Sequence, residues 1–188
     1  MHPFKDDNCI VLDFLPRGRA IGKPEPLAYV LGDTYFSLLE VVIKKDMIVK
    51  QGDRLGIGKN NRKEVDYIKR RITENELTNV AKNALEDTVK NIVKRDEKRF
   101  VNFFNKAMPL STRLHQLELL PGIAKKNMWH IINERDTNGP FKSFEDIKKR
   151  IPTLTDPEDM ITRRILEEIK SDKERYYLFV SKPREEEM

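Results

Sequence analysis

Cysteine is nearly missing from this chain of 188 residues. Cys9 is the only one, so no disulfide can form within the chain. No group of Cys and His residues has the spacing of a zinc site. We therefore expect a protein of a reducing compartment, the cytoplasm, with no structural metal and no cofactor.

Long apolar runs and catalytic patterns are missing as well. No stretch approaches the roughly 20 apolar residues of a membrane span, and Asp6 and Asp7 stand where a signal peptide would carry cations. Gly56, Gly58 and Lys59 lack the full spacing of a phosphate-binding loop, and no nucleophile-base pattern stands out. We expect no membrane partner and no enzymatic activity.

Charge, by contrast, is abundant. Charged residues make up 36% of the chain against 38% hydrophobic residues, and the net charge is +5. Residues 44–71 contain ten Lys or Arg and four acids, whereas residues 152–188 contain seven and ten. A globular protein with an anionic partner fits this composition, and the partner should meet the first and middle parts of the chain.

Short runs rich in Val, Ile, Tyr and Phe dominate the first 72 residues, at positions 9–14, 27–31, 35–43, 55–57 and 65–72. Turn residues separate them, with no helical period between. This pattern predicts a small antiparallel barrel or sandwich, and we favour an OB-like β-barrel over residues 1–72. Its aromatic residues could stack on bases or fill the core: Tyr29, Tyr35, Phe36 and Tyr67.

The period becomes helical at Thr73, which has a capping-box partner in Glu76. A long helix is predicted through Val93, and a second over residues 97–108, where Pro109 ends it. The phenylalanines of the second helix, at positions 100, 103 and 104, are predicted to be core residues.

Shorter helices with explicit start signals follow. These signals are Ser111 or Thr112, Ser143 and Asp156. Residues 176–180 are predicted to form a last strand. The sequence thus predicts an α+β chain in three parts: a β-barrel over residues 1–72, a connecting helix pair over 73–110 and an all-α helix-hairpin-helix domain over 111–182.

Residues 117–135 carry the main functional prediction, a helix, a tight turn at Pro121 and Gly122, and a second helix. Backbone amides at a helix start can hold a phosphate, and cations there disfavour the helix unless an external anion compensates them. We expect Trp129 to pack between the two helices. The predicted phosphate-binding residues are Gly122, Ile123, Ala124, Lys125 and Lys126. The alternative is an ordinary helix corner with Ile123 in the core.

Residues 117–169 resemble the paired helix-hairpin-helix domain of bacterial DNA-uptake receptors and of several repair and recombination proteins. The first hairpin of that family has two glycines around the Ile, and Ala124 replaces the second of them here. The second hairpin would fall at residues 151–155, with Thr153 at the glycine position. The resemblance implies phosphate binding at the first hairpin and a degenerate second one.

The whole chain resembles an archaeal family, domain of unknown function 655, whose members are described as candidate RNA-binding proteins. The resemblance rests on the Gly-Asp-Arg-Leu segment at residues 52–55, the cationic segment from Arg62 to Arg71 and the hairpin domain. It implies a nucleic-acid-binding protein that grips the RNA or DNA backbone without strong base specificity, with RNA slightly favoured.

A second group of cations, the basic run of residues 59–71, could extend the phosphate-binding surface, although charge runs are usually just solvated. Its candidate residues are Lys59, Arg62, Lys63, Arg70 and Arg71. The rival hypotheses are a protein-interaction scaffold in a ribosomal or transcription assembly and, third, a nuclease with a metal site of Asp and Glu residues. His115 and His130 are expected to be partly exposed helix residues.

Overall fold

The computed structural model of the protein describes residues 5–182, which form a mixed α+β fold. Its strands are β1 (Asn8–Leu15), β2 (Leu27–Gly32), β3 (Leu38–Ile43), β4 (Arg54–Gly56) and β5 (Val65–Arg71). Its helices are α1 (Asn79–Arg95), α2 (Glu97–Lys106), α3 (Lys125–Asn138), α4 (Phe144–Arg150) and α5 (Pro157–Lys170), with short 3-10 helices at Glu74–Glu76 and Gln116–Leu119.

The five strands form one curled antiparallel sheet in the order β4-β1-β2-β3-β5. After the β1-β2-β3 meander, β4 returns to β1, where Cys9 faces Leu55, and β5 joins β3, where Ile43 faces Val65. In the described part of the chain β4 and β5 stay at the two edges, so the sheet is a half-barrel. The predicted α+β class is confirmed, but the predicted barrel is not closed.

The sheet core explains why the strands read as continuous apolar runs. Every residue of β2 and β3 is buried, so both faces of these central strands are covered. A strand covered on both faces loses the alternation of apolar and polar residues. One hydrophobic cluster of the sheet contains Cys9, Val11, Ala28, Val30, Leu39, Val41, Ile43, Val49, Leu55, Ile57 and Val65.

Two predicted helix starts needed correction. The Thr73 amide donates to the Glu76 carboxylate at 2.8 Å, so the capping box forms, but it opens a 3-10 turn and α1 begins only at Asn79. Ser111 and Thr112 start no helix. The next helical segment is the 3-10 helix at Gln116–Leu119, which is capped by His115. Phe100 and Phe104 are fully buried, as predicted for core residues.

The predicted last strand at residues 176–180 does not form. Glu168, at the end of α5 and fully buried, accepts hydrogen bonds from the amides of Leu178 (2.6 Å), Phe179 (3.0 Å) and Val180 (2.9 Å). The amides of residues 178–180 thus donate to one carboxylate instead of to the carbonyls of a neighbouring strand.

The described chain divides into two compact units. The sheet unit contains residues 5–88 and 167–182, and the helical unit contains residues 89–166. The divisions fall inside α1 and α5, whereas the sequence predicted boundaries after residues 72 and 110.

Candidate nucleic-acid interface

The predicted hairpin turn lies in the helical unit at residues 120–123. The Ile123 amide donates to the Leu120 carbonyl at 3.3 Å and closes the turn. Gly122 has a φ of +86°, a conformation that L side chains rarely adopt. A Cβ at this position would find its nearest atoms 3.7 Å away, which is ordinary contact, so backbone conformation rather than space requires glycine here.

Burial orients the turn. Ile123 is only 7% exposed and anchors the turn in the core, as the corner alternative also requires, while Gly122 and Ala124 face solvent. Ala124 has φ −87° and ψ 165°, extended values that alanine adopts without strain. Alanine at position 124 therefore fits the local backbone without strain.

The start of α3 carries positive charge without compensation from its own helix. Ala124 is its N-cap residue and has no side-chain oxygen to accept from the first amides, and the first turn contains no acid. Lys125 and Lys126 are exposed. Lys125 lies 3.8 Å from the Glu118 carboxylate with its side chain 70% exposed, a geometry in which an ion pair contributes little. The helix dipole and both lysines thus favour an anion at this point.

The second hairpin is closed by the same kind of backbone hydrogen bond, but Thr153 does not adopt the positive φ of Gly122 and the helix that follows starts differently. The Leu154 amide donates to the Ile151 carbonyl at 3.0 Å, and Thr153 stands at the place of Gly122. The second turn lies against the start of α3, because the Thr153 hydroxyl donates to Asn127 Oδ1 at 3.2 Å.

Carboxylates already occupy the start of α5 after this second turn. Asp156 accepts from the Glu158 amide at 3.0 Å, and Glu158 and Asp159 lie in the first turn of the helix. A phosphate would meet three negative charges there. Whether the second hairpin binds phosphate stays a prediction.

Buried polar contacts hold the first hairpin in place. The His115 ring accepts from the Leu117 amide at 3.1 Å, and burial together with the nearby Arg135 guanidinium lowers the pKa of His115. Arg135 donates to the carbonyls of Phe104 (2.7 Å) and Ala107 (2.9 Å). His115 is thus a buried cap, not the partly exposed helix residue that the sequence predicted, whereas His130 is exposed.

In the sheet unit, internal contacts take up much of the basic run. Arg70 contacts the carboxylates of Glu40 at 3.3 Å and Glu76 at 2.6 Å, and hydrogen bonds from the Thr73 amide and Arg70 lower the pKa of Glu76. Arg62 donates to the Ile57 carbonyl at 3.0 Å, and Arg71 to the Ser181 carbonyl at 3.1 Å.

Other members of the run differ in their surroundings. Lys69 pairs with Glu25. Lys59 and Lys63 are exposed, and no ion pair to either occurs within residues 5–182. The structure therefore leaves these two lysines as the solvated charges among the predicted residues of the run.

The candidate stacking aromatics of the sheet are mostly in the core. Tyr29 is 4% exposed and Phe36 is 1% exposed. Tyr67 is exposed, but its hydroxyl donates to the Glu25 carboxylate at 3.1 Å. The predicted stacking platform is therefore reduced to Tyr67 and the half-buried Tyr35.

Trp129 on α3 is a second residue of the helical unit whose burial the sequence predicted wrongly. It is 57% exposed and does not pack between the hairpin helices. Met128 and Ile131 define the buried side of α3, and successive helical residues are rotated by about 100°, which turns Trp129 away from that side. The helical spacing of the apolar residues was the signal that could have revealed it.

Among the described residues 5–182 there is neither a candidate membrane-spanning helix nor a candidate metal site. No helix among them is long and apolar enough to cross a membrane. Within residues 5–182, no group of three or more His, Cys, Asp and Glu side chains is arranged to hold a metal ion.

Comparison with known proteins gives a consistent family. The family model described as "Protein of unknown function (DUF655)" matches residues 5–181. The chain is 44% identical over 171 residues to uncharacterized protein MJ0038 of Methanocaldococcus jannaschii. The matched region covers 90% of this chain and 77% of that protein. The crystal structure of Af1531 from Archaeoglobus fulgidus, which has the same family model, superposes on this chain with a TM-score of 0.84 and 46% sequence identity. The superposition covers 94% of this chain and 100% of that one. The chain therefore belongs to the DUF655 family.

Proposed function

We propose that this protein binds the sugar-phosphate backbone of nucleic acid at the first hairpin, without strong base specificity. The observation that carries the proposal is the start of α3, where Lys125 and Lys126 are exposed beside an N-cap residue that has no side-chain acceptor. An anion at a helix start gains roughly 0.3–1 kcal/mol from the dipole, and the two lysines add charge attraction.

The paired turns support assignment of residues 117–169 to a helix-hairpin-helix domain. Both turns have proline at their second position, both are closed by the same backbone hydrogen bond, and each precedes a helix. We propose that the pair divides its roles. The first turn contacts phosphate, whereas the second, with Asp156 at its helix start, supports the first.

The sheet unit gives a weaker argument for an OB-like relationship. Its strand order equals that of an OB barrel opened between β4 and β5. The direction of β5 differs, because β3 and β5 are antiparallel here and parallel in an OB barrel. We restrict the OB-like proposal to the strand order.

The preference for RNA over DNA comes from the family resemblance alone, since backbone amides meet the same phosphate in both polymers. We propose a cytoplasmic binding protein and not an enzyme. The rival role of a scaffold for protein partners predicts that nucleic-acid affinity will be absent or independent of Lys125 and Lys126.

The test compares two variants of equal charge. Lys125→Ala/Lys126→Ala and Lys59→Ala/Lys63→Ala each remove two exposed lysines, and binding of labelled RNA and DNA is followed by fluorescence anisotropy across a salt series. We expect only the first variant to weaken binding to all sequences alike. Its salt slope should fall by up to about 0.9 per lost phosphate contact on duplex DNA and about 0.7 on single strands.

The two possible failures of this experiment differ. A folded Lys125/Lys126 variant with the affinity and salt slope of the wild type would make the hairpin a structural corner. Weakening by the Lys59/Lys63 variant alone would move the interface to the sheet unit.

A further inference from the structure

The single tryptophan of the chain stands on the exposed side of α3. Trp129 is 57% exposed. Within the described residues its ring makes no aromatic or cation-π contact and its indole N–H no hydrogen bond. Among the exposed large apolar side chains of the helical unit it offers the largest flat face, which is the shape that stacks on other rings.

The neighbours of Trp129 within one turn on α3 itself are cationic or neutral, and Glu118 of the preceding 3-10 helix approaches Lys125 to 3.8 Å. Lys125 and Lys126 precede it by four and three residues, so their side chains lie one helical turn away. His130 and Asn133 are also exposed. Residues 125–133 contain no acid, and the next one, Glu134, is half-buried and paired with Arg150 at 2.9 Å. A negatively charged partner that carries aromatic rings complements this face.

We propose that Trp129 stacks on an unpaired base of a strand whose phosphate lies at the first hairpin, so that the site selects single-stranded nucleic acid. This inference rests on the proposed function. The Cβ atoms of residues one helical turn apart are about 5–6 Å from each other, which brings the indole within reach of a nucleotide next to a phosphate held by Lys125 and Lys126.

Base pairing determines whether Trp129 can reach the face of a base, and therefore whether the site binds a single strand or a duplex. In a duplex the base faces are stacked on one another and only their edges line the grooves, so a ring on a convex helix surface finds no face to cover. In a single strand the bases are accessible, and stacking on an aromatic residue tolerates any sequence. The proposed lack of base specificity and the selection of single strands therefore follow from the same contact.

The experiment uses the fact that all tryptophan emission of the full chain comes from residue 129. An unstructured 12-nucleotide RNA and the duplex of the same sequence are titrated in turn. Binding is measured by anisotropy of a label on the RNA, and stacking is measured independently by quenching of the tryptophan. We expect strong quenching and tighter binding for the single strand, and little quenching for the duplex.

Two substitutions complete the test. Trp129→Ala should weaken single-strand binding by about 5- to 150-fold, the range of one lost base-aromatic stack, and leave duplex binding unchanged. Trp129→Phe retains a ring and should recover most of the affinity. Residue 129 is on the surface, so the melting curves of both variants should match that of the wild type.

The outcomes separate this inference from the proposed function. If both polymers bind through Lys125 and Lys126, but quenching is absent and Trp129→Ala binds like the wild type, the stacking inference is wrong and the hairpin proposal stands. If neither polymer binds at low salt, the proposed function fails and the inference fails with it. Capture of a protein partner that depends on Trp129 would then identify this face as a protein contact.

Discussion

The first hairpin and the basic run of residues 59–71 carry charges of the same sign in different surroundings. Lys125 and Lys126 are exposed at a helix start without acids, and within residues 5–182 their one ion pair, from Lys125 to Glu118, spans 3.8 Å. In the basic run, Arg70 lies between Glu40 and Glu76. Cations held by carboxylates of the fold contribute to folding, whereas cations that face solvent remain available to a ligand.

This difference teaches that a count of lysines and arginines locates a binding surface poorly. The basic run has more cations than the hairpin, yet several of them donate to carbonyls or carboxylates of their own unit. Each such contact reduces what the charge can gain from a phosphate. The comparison can be tested by separate measurements of stability and binding.

The largest expected effect is on folding, from Arg70→Ala. Glu40 has a fully buried side chain, and its Oε1 atom has no hydrogen-bond partner within residues 5–182. Loss of Arg70 would leave Arg19 as its remaining ion-pair partner. We expect the free energy of unfolding, measured in urea, to fall by about 1–3 kcal/mol.

The matched control for that variant is Lys63→Ala, which removes an exposed charge of the same run. We expect it to change stability by no more than about 0.5 kcal/mol. Equal stability of the two variants would mean that Arg70 is as available to ligands as Lys63, and the distinction between the two regions would be lost.

A smaller effect is expected from pH, and it belongs to the hairpin. Burial and Arg135 lower the pKa of His115 below its usual 6.5, so the unfolded chain binds the proton more readily. The resulting stability is complete above about pH 6.5 and is lost as the pH falls from there toward the folded pKa. Glu76 also has a lowered pKa, but the stability that it adds is lost only below its usual value of 4.5.

His115→Asn tests this pH dependence, because asparagine is a good N-cap residue that does not titrate in this range. Urea unfolding at pH 7.5 and pH 5.5 should show a smaller loss on acidification for the variant than for the wild type. Parallel losses would show that His115 is not responsible.

The smallest expected effect has the opposite sign. Lys125→Ala/Lys126→Ala removes two cations from the positive end of α3. The free energy of unfolding should therefore rise by a few tenths to about 1 kcal/mol, and the melting temperature should rise slightly. Lys59→Ala/Lys63→Ala should leave the melting temperature unchanged. Destabilisation of the hairpin variant would indicate that its lysines serve the fold and not a ligand.

The sequence predicted the elements whose signals are local. The strands were placed to within about three residues, because apolar runs between turn residues have few alternatives. Ser143 and Asp156 marked the starts of α4 and α5, since each side chain accepts from an amide two or three residues ahead.

Long-range contacts account for much of what was missed. Asp6 accepts from the amides of Thr34, Tyr35 and Ser37, which holds residues 34–37 in a turn, so that β3 begins at Leu38 and not at residue 35. Phe36 has a φ of +56° in this turn, and nothing in the neighbouring sequence predicts this value. These contacts span about 30 residues and leave no periodic pattern.

The hairpin site was predicted in part. Its turn and its lysines lie where the pattern of Leu-Pro-Gly-Ile and two lysines indicated, and whether they bind phosphate stays a prediction. The neutralisation of the basic run could not be predicted, because pairs such as Arg70 with Glu40 join residues that are far apart in sequence.

The hydrogen bonds from the amides of residues 178–180 to Glu168 restrict how residues 168–180 can change in evolution. The carboxylate contacts main-chain atoms, so the side chains of these three residues can vary among relatives without loss of those bonds. Position 168 has no such freedom, because a residue without two side-chain acceptor oxygens would leave at least one of these amides without its acceptor. Insertions are restricted in the same way, since one extra residue would shift every amide past the carboxylate. We therefore expect relatives to retain the acid and its spacing more strictly than the sequence of the segment that it holds.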